Sequence, residues 1–307
     1  MQLSGCGTAL ITPFRGDGSV DEEALVSLVH WQVESGVNFL VVCGTTGEAP
    51  TLSLDETLRV VELTIEAAAG RAPVLAGCTH NSTREAVARV RRISRVPNLS
   101  GIMSANPYYS KPTQEGQFQH FKAIADATDL PVMLYNIPPR TAANLEPATT
   151  ARLANEVRNI VAIKEASGSM SQVMELITMV PKNFQVFSGE DNLALPVIAV
   201  GGAGVIAVAS NEIPAEMSQM VKAALANDWQ TARRLQHRFF TLMQANFWES
   251  NPGPVKCLLA MMGRITESYR LPMVPVQAGT RARLAKLAGE LGLLTVGLQE
   301  QGNLRVS

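Results

Sequence analysis

The stretch IVAIKEASG, residues 160–168, is an apolar, β-branched run with a single lysine inside it. Such a composition reads as a strand covered on both faces, the pattern of a parallel sheet between layers of helix. A buried ammonium is disfavoured strongly enough to drive its pKa down by several units, so Lys164 allows two readings. Either it sits near a strand end with its head in solvent or in an ion pair, or it is kept neutral so that its amine can attack a carbonyl. Alternation along a strand places Ile160, Ala162 and Lys164 on one face and Val161, Ile163 and Glu165 on the other. With Val161 and Ile163 packed outward against helices, Lys164 points inward. Glu165 then points away and is not its ion-pair partner, and an inward lysine with no adjacent carboxylate has a depressed pKa.

Seven further runs have the same near-continuous apolar character: GTALITPF (7–14), VNFLVVCG (37–44), PVLAGC (73–78), LSGIMSANP (99–107), PVMLYNIP (131–138), FQVFSGE (184–190) and GVIAVAS (204–210). Helix-length amphipathic segments separate them. Ser53 and Glu56, and likewise Ser82 and Glu85, have capping-box spacing, and Asp21 precedes a helical pattern that stops at Gly36. Strand and helix thus alternate about eight times at intervals of roughly 20–35 residues, which predicts an α/β chain folded as a (β/α)8 TIM barrel. A doubly wound open sheet is the alternative, but no GxGxxG turn follows the first strand. Residues 1–227 are read as the barrel. Residues 228–307, in which only helical patterns punctuated by Pro252, Pro254, Pro272 and Pro275 occur, are read as a C-terminal helical extension.

Composition excludes several classes of function. The 307 residues are 46% hydrophobic and 17% charged with a net charge of −1, which gives no electrostatic case for nucleic acid or an anionic membrane as partner. The N-terminus lacks the basic and apolar regions of a signal peptide, and no apolar run is long enough to span a bilayer. The four cysteines (Cys6, Cys43, Cys78, Cys257) form no CxxC pair, which fits a reduced, cytoplasmic setting. The four histidines are equally dispersed, and no metal site is expected.

Active sites of (β/α)8 barrels lie at the C-terminal ends of the strands. Those ends here read CGTTGEAP, NPYYSKP, YNIPPRT, KEASG and SGED, and they collect the polar and aromatic residues. Tyr135, close to Lys164 on the preceding strand, reads either as a proton relay or as a buried phenol bonded to a carbonyl. Thr45 and Thr46 offer hydroxyls and backbone N–H groups suited to a small carboxylate, or form an ordinary turn. Arg140, behind two stiffening prolines, reads as a bidentate carboxylate clamp or as a lone surface arginine. Gly201, Gly202 and Gly204 precede the eighth strand, so they serve a tight turn at the opposite end of the barrel and not a phosphate loop.

Together GTTGE (44–48), NPYYSKP (106–112), YNIPPRT (135–141), IKEASG (163–168), SGED (188–191) and GGAGVIAVASN (201–211) resemble, in order and spacing, the dihydrodipicolinate synthase/N-acetylneuraminate lyase family of pyruvate-dependent class I aldolases. The resemblance implies that Lys164 forms an imine with pyruvate. It further implies that Tyr135 shuttles protons through Thr46 to Tyr109 of a neighbouring subunit, that Thr45 and Thr46 hold the pyruvate carboxylate, and that Arg140 binds the second substrate. The backbone around Gly189 and Ile206 would line the same pocket. A homo-oligomer, a dimer of dimers, is implied, with no metal or organic cofactor because the lysine itself is the electron sink.

Arg140 is similar to the synthase branch, which condenses pyruvate with aspartate semialdehyde in lysine and diaminopimelate biosynthesis. The alternative is a Schiff-base aldolase, dehydratase or deaminase of the same family acting on another 2-oxo acid. Ala49, Pro139 and Glu190 depart from the commoner family residues and Ala203 fills a variable spot in the GG-x-G turn; none touches the imine chemistry, and several bear on the shape of the aldehyde pocket. Asn81, Glu85 and Tyr108 match lysine-binding positions of feedback-inhibited members, whereas Leu54 replaces a histidine, which implies weak or absent inhibition by lysine.

Overall fold

The structure, a computed structural model, describes residues 3–294. Eight parallel strands close into a barrel in chain order: β1 (Gly5–Ala9), β2 (Phe39–Val42), β3 (Val74–Gly77), β4 (Gly101–Ala105), β5 (Val132–Asn136), β6 (Ile160–Glu165), β7 (Gln185–Ser188) and β8 (Gly204–Ala207). The connecting helices are α1 (Glu22–Glu34), α2 (Leu54–Ala68), α3 (Thr83–Ile93), α4 (Gln114–Ala125), the single turn α5 (Pro138–Thr141), α6 (Pro147–Glu156), α7 (Met170–Met179), α8 (Ala194–Ala199) and α9 (Pro214–Leu225). Beyond the barrel come α10 (Trp229–Ala245), α11 (Gly253–Met261) and α12 (Ala278–Leu291). The expected extension is thus helical as far as it is described; its last part, residues 295–307, lies outside the described residues.

Strand alternation sorts the apolar side chains into two cores. Phe39, Val41, Leu75, Met103, Met133, Ala162, Phe187 and Ile206 fill the barrel interior. Leu40, Val42, Ile102, Leu134 and Ile163 face outward onto Leu25, Leu28, Val60, Val90 and Phe121 of the surrounding helices. Each such side chain contributes about 1.5–3 kcal/mol by leaving water. Phe39 and Phe187 meet edge to face with centroids 5.4 Å apart, so buried apolar side chains occupy the interior below the strand ends. A third core joins the barrel to the extension, with Cys6, Val205 and Ala207 packed among Phe239, Leu258 and Leu284.

One strand breaks the simple alternation. Val132 pairs with Ile160, but its neighbour Met133 pairs with Ala162, so Val161 has no partner on β5. This one-residue bulge turns Ile160 out into the helix-facing core and leaves Val161 against the interior cluster. The faces expected for these two residues are therefore exchanged, because a bulge sets two residues against one step of the partner strand. Beyond it Ala162, Ile163, Lys164 and Glu165 keep the expected faces.

Local signals act mostly as the sequence predicts. Ser53 Oγ accepts from the Glu56 N–H (3.1 Å) while Glu56 accepts from the Ser53 N–H (2.9 Å), a complete capping box for α2. Asp21 caps α1 by accepting from the Ala24 N–H. The second expected box does not form: the Ser82 side chain makes no cap bond, its N–H donates instead to His80 Nδ1, and Glu85 pairs with Arg84. At the base of the barrel Gly204 has φ +147°, and a Cβ there would lie 1.9 Å from the Gly5 carbonyl oxygen. The glycines before β8 thus permit close backbone approach away from the strand C-termini.

Glu212, just after β8, is buried against the start of the extension. Its Oε2 accepts from Asn246 Nδ2 at 2.8 Å, while Oε1 has no partner among the described residues. Burial pushes its carboxyl well above the ordinary carboxylate range, so the folded protein holds a proton that the unfolded chain releases above about pH 4.3. Stability from this group is complete below that pH and declines as pH rises towards the folded value. Glu212→Gln is expected to abolish that slope, so that in urea titrations the variant gains on the wild type by up to about 1.4 kcal/mol per pH unit above pH 5. A difference between the two that is constant from pH 5 to pH 8 would contradict this.

Candidate active site

Lys164 is the penultimate residue of β6 and is 4% exposed. Its strand neighbours across the sheet are Tyr135 on β5 and Phe187 on β7, all three on the inner face. The amine Nζ stands 4.6 Å from the centroid of the Tyr135 ring. A cavity of about 350 Å³ opens above it, lined among others by Thr45, Thr46, Tyr135, Arg140, Lys164, Gly189 and Glu190. Thr45, Thr46, Tyr135, Arg140, Lys164 and Gly189, picked from four separate strand ends, are thus brought to one place.

Desolvation is the largest influence on the amine and lowers its pKa to about 8. Arg140 pushes in the same direction, while Asp191 and Glu190 oppose it. The sequence expectation of no nearby carboxylate is therefore corrected: the SGED loop supplies two, but burial outweighs them. At pH 8 about half of the molecules carry a free nucleophilic amine, against less than about one in a hundred for a lysine of ordinary pKa. Tyr135 is fully buried; burial raises its phenol, with a hydrogen bond to Thr45 and the Arg140 charge working against that rise. It is consequently a protonated phenol, able to give and recover a proton.

Glu165 does point away from Lys164, and the structure assigns it a role on the outside of the barrel. Its Oε2 accepts from Asn136 Nδ2 (3.0 Å) and Gln172 Nε2 (3.3 Å), and its Oε1 accepts from the Ser167 N–H (2.7 Å). Asn136 in turn donates to Asn144 and accepts from Asn106, which also donates to Gln117. This buried network clamps the ends of β4, β5 and β6 to α4 and α7, and so fixes the two inward neighbours Tyr135 and Lys164.

Gly189 lines the cavity, where a Cβ would meet the Ala166 Cβ at 2.5 Å. Ile206 is buried in the interior core but does not line the cavity. Tyr109 is 88% exposed, on a backbone with φ +74°, and lies outside its own chain's cavity. A second cavity of about 380 Å³ shares Thr45, Tyr135, Ile137 and Arg140 with the first and continues to Cys43, His80, Arg89 and Tyr108. Of Asn81, Glu85 and Tyr108, only Tyr108 lines it.

Two contributions escaped the sequence reading. Asp191 is buried and accepts from the N–H groups of Val208 (3.0 Å) and Ala209 (2.7 Å), tying the β7 loop to the end of β8. The extension also reaches the site. Asn251 Nδ2 donates to Thr46 Oγ1 at 2.9 Å, and its carbonyl accepts from Arg140 Nη2 at 3.5 Å, while Met243, Gln244 and Phe247 line the cavity. Below them Lys256 of α11 pairs with Glu48 of the GTTGE loop at 2.6 Å, with the two side chains 0% and 1% exposed. Lys256 also sits 4.3 Å from the Phe14 ring centroid. Its signal was present in GPVKCLLA, a lysine in an apolar run of the same kind as Lys164.

Removing one partner of a buried pair strands the other. Lys256→Met is accordingly expected to destabilise the protein by about 3–5 kcal/mol in urea unfolding, and adding Glu48→Gln should recover part of the loss. A single-variant loss below about 1 kcal/mol would fit only a solvated pair.

With this geometry in hand, comparison with known proteins gives a consistent result. Residues 2–291 match the model of the dihydrodipicolinate synthetase family. The chain is 60% identical over 294 residues to a 4-hydroxy-tetrahydrodipicolinate synthase of Acidobacterium capsulatum, covering 96% of this chain and 97% of that one. A 4-hydroxy-tetrahydrodipicolinate synthase of Koribacter versatilis is 58% identical, with 96% and 98% covered. Among solved structures, the chloride-inhibited dihydrodipicolinate synthase of Acinetobacter baumannii complexed with pyruvate superposes with a TM-score of 0.92 at 40% identity, covering 95% of this chain and 100% of that one. A closed eight-stranded barrel with a desolvated lysine on its sixth strand, matched over nearly its whole length to these relatives, belongs to the dihydrodipicolinate synthetase family.

Proposed function

We propose that the protein is a Schiff-base synthase that condenses pyruvate with aspartate semialdehyde to give 4-hydroxy-tetrahydrodipicolinate. The observation that carries this reading is the desolvated Lys164 amine at the floor of a cavity that also holds Tyr135, Thr45, Thr46 and Arg140. The neutral amine adds to the 2-oxo carbon of pyruvate, and loss of water leaves an imine. Protonated, the imine acidifies the methyl carbon, whose proton passes to the phenolate of Tyr135, and the resulting enamine carbon attacks the aldehyde of the second substrate. Tyr135 supplies the proton that water needs to leave, recovers one from the methyl carbon, and gives it to the aldehyde oxygen once the new carbon–carbon bond has formed. Thr45 and Thr46 hold the pyruvate carboxylate at the start of the GTTGE loop, and Arg140 takes the carboxylate of the aldehyde as a charge-assisted pair.

Tyr109 completes the proton path in the partner subunit of a dimer, itself half of a tetramer; its exposure and its place outside its own cavity support this. Four unpaired cysteines, all buried, support a reducing cytoplasmic setting.

Borohydride reduction in the presence of pyruvate, followed by peptide mapping, is expected to place a reduced pyruvyl group on Lys164 alone. The initial rate of trapping should climb as pH rises through about 8 and then level off, since only the unprotonated amine reacts. No adduct on any lysine would end the Schiff-base reading. Arg140→Ala is expected to leave trapping intact while kcat/KM for aspartate semialdehyde falls on the order of 10- to 100-fold, the worth of a charged hydrogen bond. Unchanged kcat/KM would remove Arg140 from aldehyde recognition.

A further inference from the structure

The SGED loop after β7 carries two adjacent carboxylates with opposite fates. Asp191 is consumed by the fold, since backbone N–H groups of Val208 and Ala209 occupy both of its oxygens. Glu190 is held only through its backbone: its N–H donates to Ser188 Oγ at 3.2 Å, and its carbonyl accepts from the same hydroxyl at 2.7 Å. Among the described residues its carboxylate receives no hydrogen bond and makes no ion pair, although it lines the cavity above Lys164 and is partly buried there. An unpartnered anion on the wall of a reaction cavity is an unfilled position for a cation.

Its placement narrows the choice of cation. Strands β5, β6 and β7 lie side by side in the barrel, with Tyr135, Lys164 and Phe187 in register. Arg140, just after β5, and Glu190, just after β7, therefore flank Lys164 on opposite sides. The charged residues lining this cavity are Arg140, Lys164 and Glu190, so Glu190 is its one anion among the described residues. A second substrate that satisfies the site presents a carboxylate to Arg140, an aldehyde carbon to the enamine carried by Lys164 and an ammonium to Glu190. That set describes an aldehyde carrying an α-amino-acid zwitterion.

We infer that Glu190 is a specificity-determining residue that takes the ammonium group of the second substrate, so that the cavity selects amino-acid aldehydes over aldehydes bearing a carboxylate alone. The inference deepens the proposed function and rests on the Schiff-base reading of Lys164. An aldehyde without the ammonium leaves the Glu190 charge unmatched in a partly desolvated position, and discrimination of this polar kind is stronger than any based on shape.

The test compares two aldehydes of equal chain length, aspartate semialdehyde and succinate semialdehyde, the second lacking the amine. In Glu190→Gln, KM for aspartate semialdehyde is expected to rise on the order of 10- to 100-fold with kcat within a few-fold. The inhibition constant of succinate semialdehyde, competing in the same assay, should stay the same or fall. Borohydride trapping of pyruvate on Lys164 should still reach the wild-type plateau, its pH profile displaced only towards lower pH because the Glu190 charge no longer supports the ammonium, and the intact plateau also reports that the variant is folded. Equal effects on both aldehydes, an unchanged KM, or a lowered trapping plateau that tracks the loss would each overturn the role. Absence of trapping in the wild type is a separate outcome: it defeats the Schiff-base reading itself and the inference with it.

Discussion

Keeping water away from one amine is the constraint on which this molecule is organised. Lys164 gives up its proton near pH 8 because the barrel surrounds it with the Tyr135 ring and an apolar floor, not because of any single charged neighbour. Closure of all eight strands makes that exclusion possible, since an open sheet would leave its strand edges, and with them the amine, exposed to solvent. The two carboxylates of the SGED loop pull the other way, and the balance between desolvation and those charges sets the amine's readiness at physiological pH.

Around this centre the loops divide their work between holding and touching. Glu165 and Asp191 are acids adjacent to the site that never line the cavity; one binds the outer amide network and the other binds backbone N–H groups of the next strand. The GTTGE loop follows the same logic, with Thr45 and Thr46 in the cavity and Glu48 turned back to a buried lysine of α11. The precision of the site thus comes from residues one or two positions away from those that line it, whose own partners are buried or half-buried.

Much of this was legible in the chain. Near-continuous apolar runs announced buried parallel strands, and a lysine inside one of them announced its own anomaly. Polar residues gathered at the ends of those runs marked the mouth. The runs read longer than the strands, for instance GTALITPF against Gly5–Ala9, because apolar residues continue into loops that pack inward after ladder pairing has stopped. Less legible were features set by distant partners. The bond between Asn251 and Thr46 spans 205 positions and that between Lys256 and Glu48 spans 208, so neither leaves a local pattern. The unused box at Ser82 shows the same rule from the other side: spacing permits a cap, and the nearby His80 ring captures the N–H instead. The bulge at Val161 arises from strand pairing, which periodicity within one strand does not encode.

That bulge uncouples the two ends of β6. A strand with strict alternation transmits a phase: inserting or deleting one residue at its base inverts every side chain up to its tip. In β6 the unpaired Val161 resets the count, and the facing of Lys164 is fixed by the ladder from Ala162 onward, where Met133 to Asn136 pair residue for residue with Ala162 to Glu165. A change in packing at the base of the strand therefore stops at the bulge and does not turn the reactive amine out of the barrel. The reactive end carries its own register mark, independent of the structural end that supports it.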